Sequence, residues 1–309
     1  MRMIECTVPA ALDGATVEAC LRSVLQASVR CVRRAKRRPG GILLDGCEAW
    51  TSAVVQAGQH LALDIADDER PGCTDVPPEP GPVAPVYEDD DLLVLDKPAD
   101  LVMYPGPGHA GGTLLNFVLQ YFLDTGRAGY PHAVNRIDRG TTGLVVFACS
   151  GYAGEALQRQ LHTRAFARTY LALCAGCLEG AGTVDAPIAR VEAGRIGFAV
   201  DPAGKPARTH WRTLGTFALP DGASATLVRL VLDTGRTHQI RLHMAHLGHP
   251  LVGDAFYGTA SAHLARAALH SWDLELDHPL TGAHLHLRAP LPDDLAALVP
   301  QGLRAQVGA

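Results

Sequence analysis

Apolar positions recur along this chain with two periods, and the changes between them predict its elements. In Val17-Glu-Ala-Cys-Leu-Arg-Ser-Val-Leu the spacing puts Val17, Leu21 and Val24 or Leu25 on one helical face. A second helix is predicted from Ser28 to Arg38 and stopped by Pro39-Gly40-Gly41, because proline and glycine both interrupt helical geometry. Ile42-Leu-Leu-Asp-Gly reads as a strand and turn, and Gln59-His-Leu-Ala-Leu-Asp-Ile alternates as a strand does. Periodicity then stops. From Ala66 to Pro85 six prolines with acids and glycine predict an extended spacer. It resumes in Pro85-Val-Tyr-Glu and Leu92-Leu-Val-Leu, two strand-like pieces around an acidic turn. Thr113 is the expected N-cap of a helix from Leu114 to Leu123, with Leu114, Val118 and Tyr121 or Phe122 on one face and Gly126 closing it. Leu144 to Cys149 has the length of a buried strand, Gly154 to His162 reads as a helix, and Phe166 to Leu173 and Ala225 to Leu232 read as strands. Thr237 to Leu247 reads as a helix with Ile240, Met244 and Leu247 inward and Gly248 as its stop.

The breaks divide the chain into a small helix-helix-strand unit (1–66), a proline-rich acidic spacer (67–85) and a larger unit (86–309). Strands and helices do not alternate strictly, so the expected class is α+β rather than doubly wound. With 309 residues there is enough chain for one or two cores.

Composition narrows the setting. No apolar run approaches the ~20 residues that span a bilayer, and the first twenty residues lack the basic start and apolar core of a signal peptide. Eight cysteines over so long a chain fit reduced thiols, so a cytoplasmic protein is expected. Cys174 and Cys177 form a lone C-x-x-C in a strand-like setting, which reads as coincidence rather than zinc or redox chemistry. A net charge of −5 argues weakly against nucleic acid, but the charge is segregated. Arg30, Arg33, Arg34, Lys36, Arg37 and Arg38 fall within nine residues that contain no acid. Alone, such a run is a solvated helix face. Placed on the second of two helices that precede strands, it suggests a platform for RNA phosphates.

The densest chemistry is Asn135-Arg-Ile-Asp-Arg-Gly-Thr-Thr-Gly, opening the apolar strand from Leu144. Asp138 sits between two arginines, and nearby positive charge favours the carboxylate. A rigid sheet edge is where an ionised catalytic group is wanted, although an ion pair capping a strand would look similar.

Four segments fit one pattern in consistent order: Leu95-Asp-Lys-Pro with Tyr104-Pro-Gly-Pro-Gly; Asn135 to Gly143; Arg168-Thr-Tyr-Leu-Ala-Leu; and Gly235-Arg-Thr-His-Gln-Ile-Arg-Leu-His-Met-Ala-His through Gly253-Asp254. Together they resemble the RluA/RluC/RluD-type RNA pseudouridine synthases over roughly residues 86–300, and the first unit more loosely resembles the small RNA-binding domain named after ribosomal protein S-four. The resemblance implies the pseudouridine synthase fold, a mixed and mainly antiparallel central sheet with flanking helices, preceded by a small α/β RNA-binding domain. It implies isomerisation of uridine in RNA without cofactor or metal. Ribosomal RNA of the large subunit is the favoured substrate, transfer RNA is possible, and a monomer is expected. Asp138 matches the family nucleophile, Arg241 the arginine paired with it, and Tyr170 the ring that stacks on the target base. Arg136 matches a residue that fills the place of the flipped nucleotide. Arg168, His238 and Gln239 fall at the substrate, and the basic cluster falls at the RNA. Lys97 is expected to shape the fold. His243, His246 and His249 drift around a helix with no carboxylate to complete a metal site, and His238 adds none.

Departures are few. Asn135, Ile137, Asp96, Asp100, Tyr104 and Arg168 stand where the family usually has histidine, leucine, asparagine, glycine, histidine and lysine. None removes a catalytic group; Asn135 and Asp96 bear on packing behind the loop or on RNA choice. Two rival readings remain at this level: an RNA-binding or ribosome-assembly protein with an incidental site, and a metal-dependent hydrolase built on the histidine-rich helix.

Overall fold

The computed structural model describes residues 1–67, 75–161, 163–191 and 197–308. Near the N-terminus four antiparallel strands, Met3–Thr7 (β1), Ile42–Leu44 (β2), Cys47–Glu48 (β3) and His60–Asp64 (β4), pair in the order β1-β4-β2-β3. Helices Val17–Ser23 (α1) and Val29–Ala35 (α2) cover this sheet through Val17, Cys20, Leu21, Cys31, Val32 and Ala35. Thr16 and Ser28 cap them by accepting from the Ala19 and Cys31 amides, which satisfies donors the first turn leaves free. Leu25 joins this core, whereas Val24 is exposed. Helix α2 stops at Ala35, short of the expected Arg38. There the Arg37 and Arg38 amides bond to carbonyls three residues back. This tightens the turn so that the chain can reverse into β2 through Gly40, at φ +67°. Strand β1, with little alternation of its own, is not predicted by the pattern.

Of the expected spacer, residues 68–74 lie outside the described residues. Residues 76–84 have no regular structure, yet they are not free. Asn116 donates to the Pro77 carbonyl at 2.7 Å, and Val76 and Val83 pack on the main core.

The large sheet contains Pro85–Glu88 (β5), Leu92–Lys97 (β6), His132–Ala133 (β7), Thr142–Ala148 (β8), Ala167–Ala175 (β9) and Ala181–Asp185 (β10). Ile188–Arg190 (β11) and Phe198–Val200 (β12) form a separate hairpin; Arg208–Ala218 (β13), Ser224–Leu232 (β14), Leu269–Asp277 (β15) and His284–Arg288 (β16) complete the sheet. Its order is β10-β13-β14-β9-β15-β8-β6-β5, with β16 on β15 and β7 on β8. Among the described residues only β15 and β8 run parallel in it; the other pairings are antiparallel. This is the mixed, mainly antiparallel sheet of the expected α+β class. Strands β13 and β15 escape the pattern because His210, Arg212, Asp273 and Glu275 interrupt their apolar runs.

Helices Leu114–Asp124 (α3), Gly151–Gln160 (α4) and Gln239–His246 (α5) flank the sheet. On α3 it is Phe122 that is fully buried, and Gly126 ends the helix at φ +67°. Helix α4 begins three residues before the expected Gly154 because Ser150 caps it through the Ala153 amide; His162 lies outside the described residues. Helix α5 begins at Gln239 because His238 takes left-handed backbone (φ +57°), and Leu247 points outward while Ile240 and Met244 are buried.

Polar contacts join the small unit to the large one, and Leu280 packs on the small unit's core. Arg2 donates to Asp91 at 2.5 Å, Tyr152 of α4 donates to the Leu25 carbonyl at 2.6 Å, and Asp67 joins Arg34 to the first amide of α4. Among the described residues no helix is long and apolar enough to cross a membrane.

Candidate active site

The loop from Asn135 to Thr141 joins β7 to β8, and its own side chains hold it. Asn135 is buried; its carbonyl accepts from the Val146 amide at 2.8 Å and its amide donates to the Leu144 carbonyl at 3.4 Å. A histidine-to-asparagine departure is thus satisfied by strand-like bonding. Ile137 enters the core beside Tyr170, which leaves its neighbours Arg136 and Asp138 outside that core, exposed and partly exposed. Strand β8 then passes β15 so closely that a Cβ on Gly143 would lie 2.1 Å from the Ser271 carbonyl oxygen. Only glycine fits there, at φ +103°.

Two buried cations hold the loop from behind. Lys97 Nζ donates to the carbonyls of Pro98, Leu101 and Arg139 at 2.7, 2.9 and 3.0 Å. Arg266 donates to the next carbonyl, Gly140, at 3.0 Å and to Leu269 at 3.1 Å, while a two-point pair with Asp294 at 2.7 and 2.8 Å fixes its plane. Burial, then repulsion from Arg266, pushes Lys97 down to about 8 against the opposing pull of Asp138. Asp100 nearby occupies left-handed backbone (φ +58°) at the position where the family usually has glycine.

Arg241 Nη1 approaches Asp138 Oδ2 at 3.7 Å, the expected pair, but its tighter partner is Asp254. Arg241 donates to both Asp254 oxygens, at 2.6 and 2.8 Å, and its guanidinium lies 5.0 Å from the Tyr257 ring centre. Asp254 also accepts from the Phe256 and Tyr257 amides. Burial opposes charge on both members of the pair, yet their mutual hydrogen bonds prevail. Arg241 is held above its ordinary value and Asp254 below its own. Asp138 therefore faces a fixed positive charge that cannot swing away.

In front of Asp138 lies a cavity of about 400 Å³, walled by Asp138, Tyr170, Arg168, His238 and the turn from Leu232 to Gln239. Tyr170 sits in mid-β9, paired to Leu230 and Ser271 and almost wholly buried, so its ring is immobile. Arg168 stands over Phe166 at 5.6 Å, and its Nε is buried with no hydrogen-bond partner among the described residues. His238 accepts from or donates to the Tyr257 hydroxyl at 2.8 Å, and burial, then Arg241, holds its pKa down. Gln239 lines the cavity, but its amide bonds to Thr234, Arg236, Arg208 and Thr209, so it shapes the turn. Arg136 is exposed and borders this cavity and a second opening that includes Tyr104.

The remaining expected residues lie elsewhere. Arg30, Arg33, Lys36 and Arg37 are exposed around α2, whereas Arg34 pairs with Asp67 and Arg38 with Asp64. The histidines of the α5 region diverge: His243 on the helix is buried between Thr209 and the Ala186 carbonyl, and His249, beyond its end, bonds to the Ala175 carbonyl. Two carboxylate-histidine groups elsewhere, Asp89-Asp91-His278 and Asp273-Glu275-His286, are each met by a cation, Arg2 and Arg288. Cys174 is buried in β9 and Cys177 is exposed.

Residues 91–246 match the family model described as RNA pseudouridylate synthase, half of the chain and all of the Asp138 loop. The chain belongs to that family. It is an RNA pseudouridine synthase, an isomerase. Among curated proteins it is 40% identical over 305 residues to the ribosomal large subunit pseudouridine synthase D of Nitrosomonas europaea, covering 96% of this chain and 87% of the relative. It is 42% identical over 266 residues to the protein of that name from Pasteurella multocida, covering 80% and 78%. Among solved structures, human RNA pseudouridylate synthase domain containing 1 superposes with a TM-score of 0.57 at 25% identity, over 75% of this chain and 98% of that one.

Sequence reading assigned no role to Asp254, Tyr257 or Arg266. Asp254 closes the last of the four quoted segments, so its position was visible, but its partner was not. Arg266 offers no sequence signal, since it acts on main-chain carbonyls.

Proposed function

We propose that this synthase isomerises specific uridines in large-subunit ribosomal RNA, working as a monomer, with Asp138 as nucleophile on a base turned out of its helix. The overall change breaks the bond from ribose C1′ to N1 and makes one from C1′ to C5; N1 gains a proton and C5 loses one. The observation that carries this reading is Asp138 on the wall of a cavity of about 400 Å³, within the range for small-molecule sites, while the other lining carboxylate, Asp233, is engaged by His210 and Arg208. The Tyr170 ring and the Arg168 and Arg136 side chains line the same space. Tyr170 would stack on the uracil. Arg241, locked by Asp254, sets a fixed positive charge 3.7 Å from Asp138. Arg168 and Arg136 supply donors for phosphate or for the place the base has left. Ribosomal RNA as substrate is supported by the relatives, ribosomal large subunit pseudouridine synthases, that are 40% or more identical over most of this chain. The small N-terminal unit, residues 1–66, would dock structured RNA beside the cavity.

Pseudouridine mapping of ribosomal and transfer RNA, in cells with and without the gene, tests this. A large-subunit site should vanish and return with the wild type but not with Asp138→Ala. Loss confined to transfer RNA would reassign the substrate. No lost site, with salt-sensitive RNA binding intact, would support a binding protein instead.

A further inference from the structure

A second cavity, about 580 Å³, lies between α2 and α4. Ser28, Arg30 and Arg34 line it from the small unit; Glu155, Gln158 and Arg159 line it from α4. Val134 and Gln158 also wall the cavity at Asp138, so the two hollows adjoin along one surface. Gln158 donates to the Val134 carbonyl at 3.1 Å, which makes the sill between them a fixed feature.

The groups lining this cleft are unevenly satisfied. Arg34 is engaged by Asp67 at 2.5 Å and by the Ile65 carbonyl at 3.1 Å, and Asp67 is held in turn by the Gly151 amide. That joint fixes the cleft's width. Arg30 and Arg159 are exposed at its edge. On two of the lining residues, Glu155 Oε2 and Arg34 Nε are buried with no hydrogen-bond partner among the described residues. Buried polar atoms are ordinarily paired, so an unpaired acceptor and donor on two residues that line one hollow call for a ligand that supplies both complements. Guanidinium groups at the rim suit phosphodiesters. A recessed carboxylate repels phosphate but accepts from a base amino group or a ribose hydroxyl. A nucleotide carries both kinds of group, and a free anion does not.

We propose that this cleft binds an unpaired nucleotide of the same RNA strand whose uridine enters the cavity at Asp138. Arg30 and Arg159 hold its phosphates, and Glu155 accepts from an amino group of its base. The inference rests on the RNA substrate argued above. It also divides the basic cluster: Arg30 is on the track, while Arg33 and Arg37, exposed on the same segment, do not line the cleft.

Two charge-matched double variants test it. On an RNA containing the target uridine, Arg30→Ala with Arg159→Ala should raise KM about tenfold with kcat unchanged, since phosphate contacts position the strand. The slope of log affinity against log salt should fall by about 1.4, for two single-strand phosphates. Arg33→Ala with Arg37→Ala should change KM less than threefold by the screening of exposed charges. Glu155→Gln should leave kcat intact and level the preference among the four nucleotides at one unpaired position near the target. Equal effects of the two double variants would overturn the proposal, as would an unchanged nucleotide preference in Glu155→Gln, which would leave only water in the cleft. A wild-type protein inactive on every RNA would instead overturn the functional reading, and this inference with it.

Discussion

Cations occur in two regions of this molecule in opposite states. Behind Asp138, Lys97 is fully buried and donates to three carbonyls, Arg266 is buried with five bonds, and Arg241 is clamped by Asp254. Around α2, Arg30, Arg33, Lys36 and Arg37 face solvent. A buried cation whose donors are all engaged is a geometric device: removing it strands the carbonyls it served and frees the loop they belong to. An exposed cation acts through its field, which salt screens within about 8–10 Å. The first set should therefore govern turnover and stability, and the second affinity and its salt dependence. Arg34 and Arg38 cross that divide. They belong to the basic run by sequence, but their ion pairs with Asp67 and Asp64 make them structural.

The largest expected effect is at the group the buried set serves. Asp138→Asn should cut turnover about 10⁴-fold or more, the scale of removing a nucleophile, while RNA affinity stays within a few-fold in filter binding. Strong loss of binding would make Asp138 structural. Lys97→Met should lower kcat about 100-fold through a displaced loop, since a shift near 1 Å costs that much, and should lower the unfolding midpoint too. Unchanged kcat would break the comparison at its buried side.

Asp254→Asn should cost roughly 3 kcal/mol of stability, the scale of breaking a buried pair from one side, and lower kcat about tenfold as Arg241 relaxes. Its pH signature has a definite sign. The Asp254 carboxyl is depressed in the folded state despite its burial. Its contribution is then fully present above the unfolded value near 4, and it is lost as pH falls through the depressed folded value. Below pH 4 the wild type should lose stability more steeply than the variant in acid unfolding monitored by circular dichroism; parallel curves would deny the shift. The smallest effect belongs to the solvent side. Arg33→Ala, Lys36→Ala and Arg37→Ala together should leave kcat alone and weaken RNA binding less than tenfold at physiological salt, with a slightly shallower dependence of affinity on salt as the readout.

The legible part of this protein was what chemistry writes into contiguous residues. Asp138 between arginines, the glycine turn before β8, and Tyr170 and Arg241 in their segments all converge on one cavity or its back wall. Helix faces followed from spacing, with Phe122 and Leu25 chosen by packing from the two candidates offered. Contacts to main-chain carbonyls were not legible, because any lysine or arginine can make them and no residue type marks the acceptor. Hence Lys97 looked merely architectural and Arg266 was silent. Strands such as β13, whose polar residues break the alternation, were also hidden, and α2 lost its last turn to a reversal that only the sheet explains.

The most direct test is release of tritium by the purified protein from a large-subunit ribosomal RNA transcript labelled at uridine C5, with pseudouridine measured in the same samples. Isomerisation replaces the C5–H bond by the bond to ribose, so each pseudouridine must liberate one label. The account predicts release equal to pseudouridine formed, saturating at one or a few sites per RNA, and absent in Asp138→Asn. RNA binding without release, or release undiminished in Asp138→Asn, would contradict it.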